Sequence, residues 1–275
     1  MRGAIIGDIV GSPYEHTFYP VKTTEFPWFS AEARFTDDTV TTIAVAAALM
    51  AGKETHCGYA EQIKRQLVYW CRHYPDAGFG SMFKSWFFSD DPKPYGSFGN
   101  GAAMRVSPAA WVAESLDEAQ TLAELTALVS HDHPEAVKSA VAVASAVYLA
   151  RTGTKMEDIK AYIQRYFYSL PLSLAEIRPT YTFTSWAKDS VPEAMEAFFE
   201  SHDFASAIAN AVSLGGDADT QAAIAGAIAE AYYGVPDELW QQAAAYLPVP
   251  MSNMVQAFSE RYMAQAARIQ EGEGR

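Results

Sequence analysis

Apolar residues recur along most of the chain at the i, i+3, i+4, i+7 spacing that gathers them on one face of a helix. Val137, Ala140, Val141, Ala144 and Tyr148 follow it. Tyr59, Ile63, Leu67, Trp70 and Cys71 nearly do, with Lys64, Arg65 and Arg72 opposite. The same pattern predicts helices over 116–129, 156–167, 192–200, 204–212, 220–233, 236–245 and 251–269. Pro192 and Pro236 suit a first helical turn, where a missing N–H leaves no bond unmade. Period-two alternation is almost absent, and 181–183 is the only strand candidate. The expected fold is all-α.

Two predicted helices differ from the rest. Residues 39–50 and 220–233 are rich in alanine, and the two stretches carry no charge before Glu230. Helices apolar on every side are buried, and small side chains let them approach closely. Residues 74–101 form the main irregular stretch, rich in Gly, Pro, Ser and aromatics, with one short helical candidate at 82–88. A loop of that length inside a domain points to function. With no linker, repeat or low-complexity run, the expectation is one domain over 1–270 and a frayed tail at 271–275.

Composition narrows the classes. In 275 residues, 49% hydrophobic and 19% charged content supplies a sizeable core and excludes a disordered chain. Lys and Arg number 20 against 33 Asp and Glu, a net charge of -13 that argues against a general nucleic-acid binder. Asp8 interrupts the N-terminal apolar run too early for a signal peptide. The longest smooth apolar run, 39–50, is well short of the roughly 20 residues of a membrane helix. Cys57 and Cys71, if on one helix, lie on the order of 20 Å apart, too far for a disulfide. A cytoplasmic location is expected.

Five segments can carry chemistry. Thr36-Asp37-Asp38-Thr39 precedes the first alanine-rich helix, and Gly215-Gly216-Asp217-Ala218-Asp219-Thr220 precedes the second. Helix capping accounts for one side chain at each, whereas each offers two carboxylates and a hydroxyl. Brought together beside buried helices, these carboxylates repel one another unless a hard cation intervenes. Oxygen donors without Cys or His suit Mg²⁺, Mn²⁺ or Ca²⁺, and the set could hold two ions about 3.5–4 Å apart. The third segment, Gly7 to Glu15, reads as a glycine-punctuated helix end followed by an acid. The fourth, Ser97-Phe98-Gly99-Asn100-Gly101-Ala102-Ala103-Met104-Arg105, is a Gly-rich loop opening a helix, of the kind that binds anions. The fifth, Ser130-His131-Asp132-His133-Pro134, joins two helices. A lone histidine there is more often a cap or core residue than a catalytic one.

In this order, Gly-Asp-x-x-Gly-Ser-x-x-Glu, Thr-Asp-Asp-Thr, Gly-Asn-Gly-Ala-Ala-Met-Arg, Ser-His and Gly-Gly-Asp-Ala-Asp-Thr, the chain resembles the ADP-ribosylglycohydrolase family, with motifs spanning Gly7 to Thr220. The resemblance implies a compact all-α domain with a binuclear Mg²⁺ or Mn²⁺ cleft. It implies Thr36, Asp37, Asp38, Asp217, Asp219 and Thr220 as metal ligands, and Glu15 beside the distal ribose. Ser97, Gly99, Asn100 and Gly101 would surround the phosphates and ribose, and His131 would contact the ligand. Phe98, Tyr95 and Phe79 are candidates for stacking on adenine. The stretch between Glu15 and Thr36 is shorter than in larger members, which would open that side of the cleft.

The implied reaction is hydrolysis of an α-linked ADP-ribosyl bond, N- or O-glycosidic, releasing ADP-ribose from a protein or small-molecule acceptor. Glu15, Asp37, Asp38 and Asp219 are the carboxylates available for base work and for stabilising oxocarbenium charge. Three weaker readings stand beside it. A non-catalytic, crystallin-like relative would not need intact metal motifs. An all-α phosphohydrolase would use His131-Asp132 and His202-Asp203 but leaves the Gly-Gly-Asp-Ala-Asp-Thr motif unexplained. A prenyl-transferring enzyme would need a third aspartate after Asp37-Asp38.

Overall fold

The computed structural model describes residues 1–15, 18, 20–52 and 58–263. About 66% of the chain is helical, and no strand forms among the described residues. The order begins with α1 (Arg2–Gly11), a 3₁₀ turn (Ser12–Tyr14), α2 (Asp37–Gly52), α3 (Tyr59–His73) and α4 (Ser81–Phe88). Four helices follow: α5 (Gly101–Met104), α6 (Ser107–Val112), α7 (Leu116–Leu128) and α8 (Pro134–Arg151). Next come α9 (Met156–Tyr166), α10 (Leu174–Ile177), α11 (Ala187–Phe199) and α12 (Phe204–Val212). The last are α13 (Ala218–Tyr233), α14 (Asp237–Ala244) and α15 (Val249–Phe258), which runs into a π-type turn at Ser259–Met263.

The centre of the fold is α13, buried along most of its length, with α1 laid against it. Gly3, Gly7 and Gly11 form one stripe on α1, and Ala218, Ala222 and Gly226 form the matching stripe on α13. The approach leaves no room for a side chain. A Cβ on Gly3 would lie 2.1 Å from the Gly226 carbonyl oxygen, one on Gly7 2.1 Å from that of Ala222, and one on Gly11 2.5 Å from that of Ala218. At the far end Glu230 accepts hydrogen bonds from the Met1 amino group and from the Arg2 and Gly3 N–H groups. The acid thus satisfies donors at the start of α1 that have no partner inside the helix. The second alanine-rich helix, α2, is buried from Asp38 to Leu49.

Three sequence expectations change. The 181–183 strand does not form; the Tyr181 hydroxyl donates instead to the Asp189 carbonyl, at 2.7 Å, and β-type pairing among the described residues is the single bridge Gly99–Trp186. Pro192 lies inside α11 rather than at its start, because the helix is begun earlier by the Gly-rich loop, whose Phe98 carbonyl accepts from Ala187 N at 3.0 Å. The helix expected over 251–269 begins at Val249, and its predicted end lies outside the described residues, as do Cys57 and the tail at 271–275. Cys71 is buried, and burial pushes its thiol pKa up. Among the described residues no helix is long and apolar enough to cross a membrane.

The α1–α13 contact gives a direct test. Gly7→Ala gains helix propensity but drives a methyl into the α13 backbone, so it should lose about 3 kcal/mol or more in urea unfolding. Gly58→Ala, where a Cβ meets nothing within 4 Å, should stay within about 0.5 kcal/mol of wild type. Equal stabilities would show that the stripe is not tight.

Candidate active site

The N-terminal ends of α2 and α13 and the C-terminal end of α1 converge. Asp8, in the last turn of α1, is fully buried among apolar neighbours and is saturated by the start of α2. Its carboxylate accepts from Thr36 N at 2.9 Å, Thr36 Oγ1 at 2.6 Å and Thr39 N at 3.0 Å, and from Thr39 Oγ1. Asp8 thus caps α2 from another helix, which frees Asp37 and Asp38 from that task. Asp217 sits at the N-cap of α13 but makes no capping bond. Its Oδ2 instead accepts from Asn100 Nδ2 at 2.7 Å, and the same amide donates to Ser190 Oγ at 3.1 Å. Simple capping therefore does not account for these acids.

Asp38, Asp217, Asp219, Thr36 and Thr220 are buried, and Asp37 and Glu15 are half-buried. Thr220 Oγ1 donates to Asp38 Oδ2 at 3.1 Å, joining the two motifs directly. Carboxylate oxygens of Asp8, Asp38 and Asp219 lie within 4.8 Å of one another, and so do those of Glu15, Asp217 and Asp219. Burial, and then the charges of Asp8, Asp37 and Asp217, hold the Asp38 carboxyl well above the usual carboxylate range. Asp37 is raised by burial, then by Asp8, Glu15 and Asp217; Asp219 by burial, then by Asp38, Asp217, Glu15 and Asp8.

Asp38 Oδ1 is buried with no hydrogen-bond donor among the described residues. An uncompensated carboxylate oxygen at the centre of mutually repelling acids is what a hard cation would satisfy, so the donor set fits divalent metal ions. Asp8 belongs to the acidic group, but its oxygens are already occupied by Thr36 and Thr39, which makes it the brace of α2.

The acids floor a cleft of about 490 Å³, within the range of about 300–1,000 Å³ usual for small-molecule sites. Glu15, Asp37, Ser97, Gly99, Asn100, Gly101 and His131 all line it, so the structure brings the five sequence segments to one place. Thr36 lies behind the lining, bonded to Asp8. The Gly-rich loop is sutured to the start of α11, with Asn100 N donating to the Ser185 carbonyl at 2.9 Å. Phe98 and Trp186 stand half exposed at the mouth, edge to face at 5.0 Å. Tyr95 lines the wall beside His131, whereas Phe79 is buried against Phe83 and Phe87 and does not line the cleft. His133 caps α8 through Glu135 N. Asp203 caps α12 with Ser206, and neither it nor His202 lines the cleft, which removes the ligands a phosphohydrolase reading required.

Asp8 and Trp186 were not singled out as site residues from the sequence. A carboxylate inside the run Ile5-Ile6-Gly7-Asp8-Ile9-Val10 was a signal for Asp8, since a buried charge demands partners. Nothing in the sequence tied Trp186 to the loop at Gly99.

The ADP-ribosylglycohydrolase family model matches residues 1–268, and the chain belongs to that family. It is an enzyme of the kind that hydrolyses ADP-ribosyl bonds. The "ADP-ribosylhydrolase ARH3" of Mus musculus is 28% identical over 88% of this chain and 85% of its own length. The "ADP-ribosylarginine hydrolase Tri1" of Pseudomonas putida (strain GB-1) is 27% identical over 98% of this chain and 78% of its own. A solved "ADP-ribosylglycohydrolase-related protein complex" superposes with a TM-score of 0.68 at 22% identity, covering 94% of both chains, and shows the shared fold.

The raised carboxyls set a pH dependence. The folded cluster keeps protons that the unfolded chain releases, so without divalent cations raising the pH favours unfolding. The urea midpoint of EDTA-treated protein should fall between about pH 5 and about pH 8, and Mg²⁺ or Mn²⁺ should restore it. A flat midpoint, unmoved by either ion, would contradict the cluster's electrostatics.

Proposed function

We propose that the chain hydrolyses an α-linked ADP-ribosyl bond, N- or O-glycosidic, with two divalent cations, Mg²⁺ or Mn²⁺, held by Thr36, Asp37, Asp38, Asp217, Asp219 and Thr220. The observation that carries this reading is the joining of the two carboxylate–hydroxyl motifs, through Thr220 and Asp38, on the floor of the cleft walled by the Gly-Asn-Gly loop. When bound, the cations supply positive charge for orienting ribose hydroxyls and for lowering the pKa of a water.

The protein's own groups supply the rest. Asn100 links the loop to Asp217, so the phosphate-side wall and the acidic floor keep a fixed relation. Ser97, Gly99, Asn100 and Gly101 receive the diphosphate and ribose, with His131 behind them. Phe98, paired with Trp186, offers an exposed ring face for the purine. Departure of the acceptor develops oxocarbenium charge above the acidic floor, where fixed carboxylates stabilise it. Glu15 approaches from the turn after α1, close to Asp217 and Asp219, and is the candidate general base; Asp37, Asp38 and Asp219 are the alternatives.

The relatives narrow the acceptor to be tested first. The name of Tri1 specifies an arginine linkage, and that relative covers nearly all of this chain. A panel of arginine-, serine-, nucleic-acid-end- and small-molecule-linked ADP-ribose, assayed with Mg²⁺ or Mn²⁺, should show ADP-ribose release from at least one member. Asp38→Ala and Asp219→Ala should abolish release while preserving helical content. Full activity in EDTA would remove the cations from the mechanism. Glu15→Gln should lower kcat at least about a hundredfold with little change in ADP-ribose affinity. A single-turnover rate within a few-fold of wild type would move the base to the aspartates.

A further inference from the structure

We propose that Arg105 and Ser130 are positioning residues that lock His131 in one neutral tautomer, with its Nε2 proton presented to the ligand cleft. This rests on the reading of the cleft as the ADP-ribose site and adds to it what sets the state of the histidine donor.

Arg105 lies just beyond α5, and its side chain is fully buried. Among the described residues it has no carboxylate partner, and its Nε and Nη1 have no acceptor. Burying an unpaired cation is costly, so the bonds it does make matter. Nη2 donates to the Thr126 carbonyl at 2.9 Å and to Ser130 Oγ at 2.8 Å. A guanidinium has no acceptor, so Ser130 Oγ receives that bond. The same oxygen lies 2.8 Å from His131 Nδ1.

Ser130 is fully buried, and among the described residues Nδ1 is the acceptor within reach of its hydroxyl hydrogen. Were Nδ1 protonated, the hydroxyl would accept twice and its own hydrogen would stay buried and unpaired, at about 1–3 kcal/mol. Nδ1 is therefore the bare nitrogen, and the proton of the neutral ring sits on Nε2. Burial, and then the charge of Arg105, hold the imidazole pKa well below its ordinary value, while Arg105, lowered to about 10, stays charged at neutral pH.

The ring is also held in place. His131 N donates to the Ala127 carbonyl at 2.8 Å, and the rings of Phe83 and Tyr95 flank the imidazole at 5.8 and 5.6 Å. Nε2 faces the Gly-rich loop, where a Cβ on Gly101 would lie only 2.9 Å away. Glycine keeps that space open for a ligand oxygen. A donor fixed before binding spares the ligand the cost of selecting a tautomer and a ring orientation.

Protein labelled with ¹⁵N in the imidazoles, free of ligand at neutral pH, tests the arrangement by long-range ¹H–¹⁵N correlation, with the His131 signals assigned by their loss in His131→Gln. Wild type should show Nε2 protonated and Nδ1 bare. Ser130→Ala should give mixed tautomers and raise the ADP-ribose dissociation constant about tenfold, and Ser130→Thr, which keeps the hydroxyl, should restore both. A wild-type ring protonated on Nδ1 overturns the proposal, as does a Ser130→Ala protein with unchanged tautomer and affinity. If Ser130→Ala does not fold, the wild-type spectrum decides. Failure of wild type to bind ADP-ribose would sink the site reading alone, because the spectrum is read without ligand.

Discussion

The site depends on how closely two backbones can approach. Where α1 lies on α13 the α1 stripe of Gly3, Gly7 and Gly11 carries no Cβ, and the helices come near enough for the end of one to meet the start of the other. That contact brings Asp8 and the turn leading to Glu15 beside Asp217 and Asp219. A pair of helices separated by ordinary side chains would sit 8–10 Å apart, axis to axis, and carry these acids away from one another. Small residues along α2 and α13 serve the same geometry, since long side chains would hold apart the helix ends on which the motifs ride.

Close approach concentrates negative charge on buried side chains. The protein manages part of this with its own groups: Thr36 and Thr39 satisfy Asp8, Asn100 satisfies Asp217, and Thr220 reaches Asp38. What remains uncompensated is confined to the cleft floor. In the cleft wall the buried guanidinium of Arg105 lies behind His131. The cleft therefore sets an acidic floor against a wall with a buried cation behind it.

Much of this was legible in the sequence, and the exceptions have physical causes. The periodicity gives the helices 116–129, 156–167 and 204–212 nearly to their ends, because each buries one side more deeply than the other and so keeps a 3.6-residue period. The pattern marks α1 only as a helix end, because the helix is buried nearly all round and shows no polar face. The interior position of Pro192 and the loss of the 181–183 strand follow from one contact, between the Gly-rich loop and residues 185–187, which local patterns do not record. The carboxylate motifs were found because their chemistry is local, two acids and a hydroxyl in four residues. Asp8 as brace, Asn100 as link and Arg105 with Ser130 behind His131 join segments far apart in the chain, so the fold had to be known first.

The division of the floor between residues 8–38 and 217–220 has a consequence for synthesis of the chain. The aspartates of α2 are made early, yet their partners on α13 come after some four-fifths of the residues have been joined. Until then α1 has no surface for its glycine stripe, and no complete set of oxygen donors exists. Neither half alone can form the floor, so the centre is assembled in the same late event that seats α13 in the core. Capture of an ion would then mark a chain whose central helix is already in place.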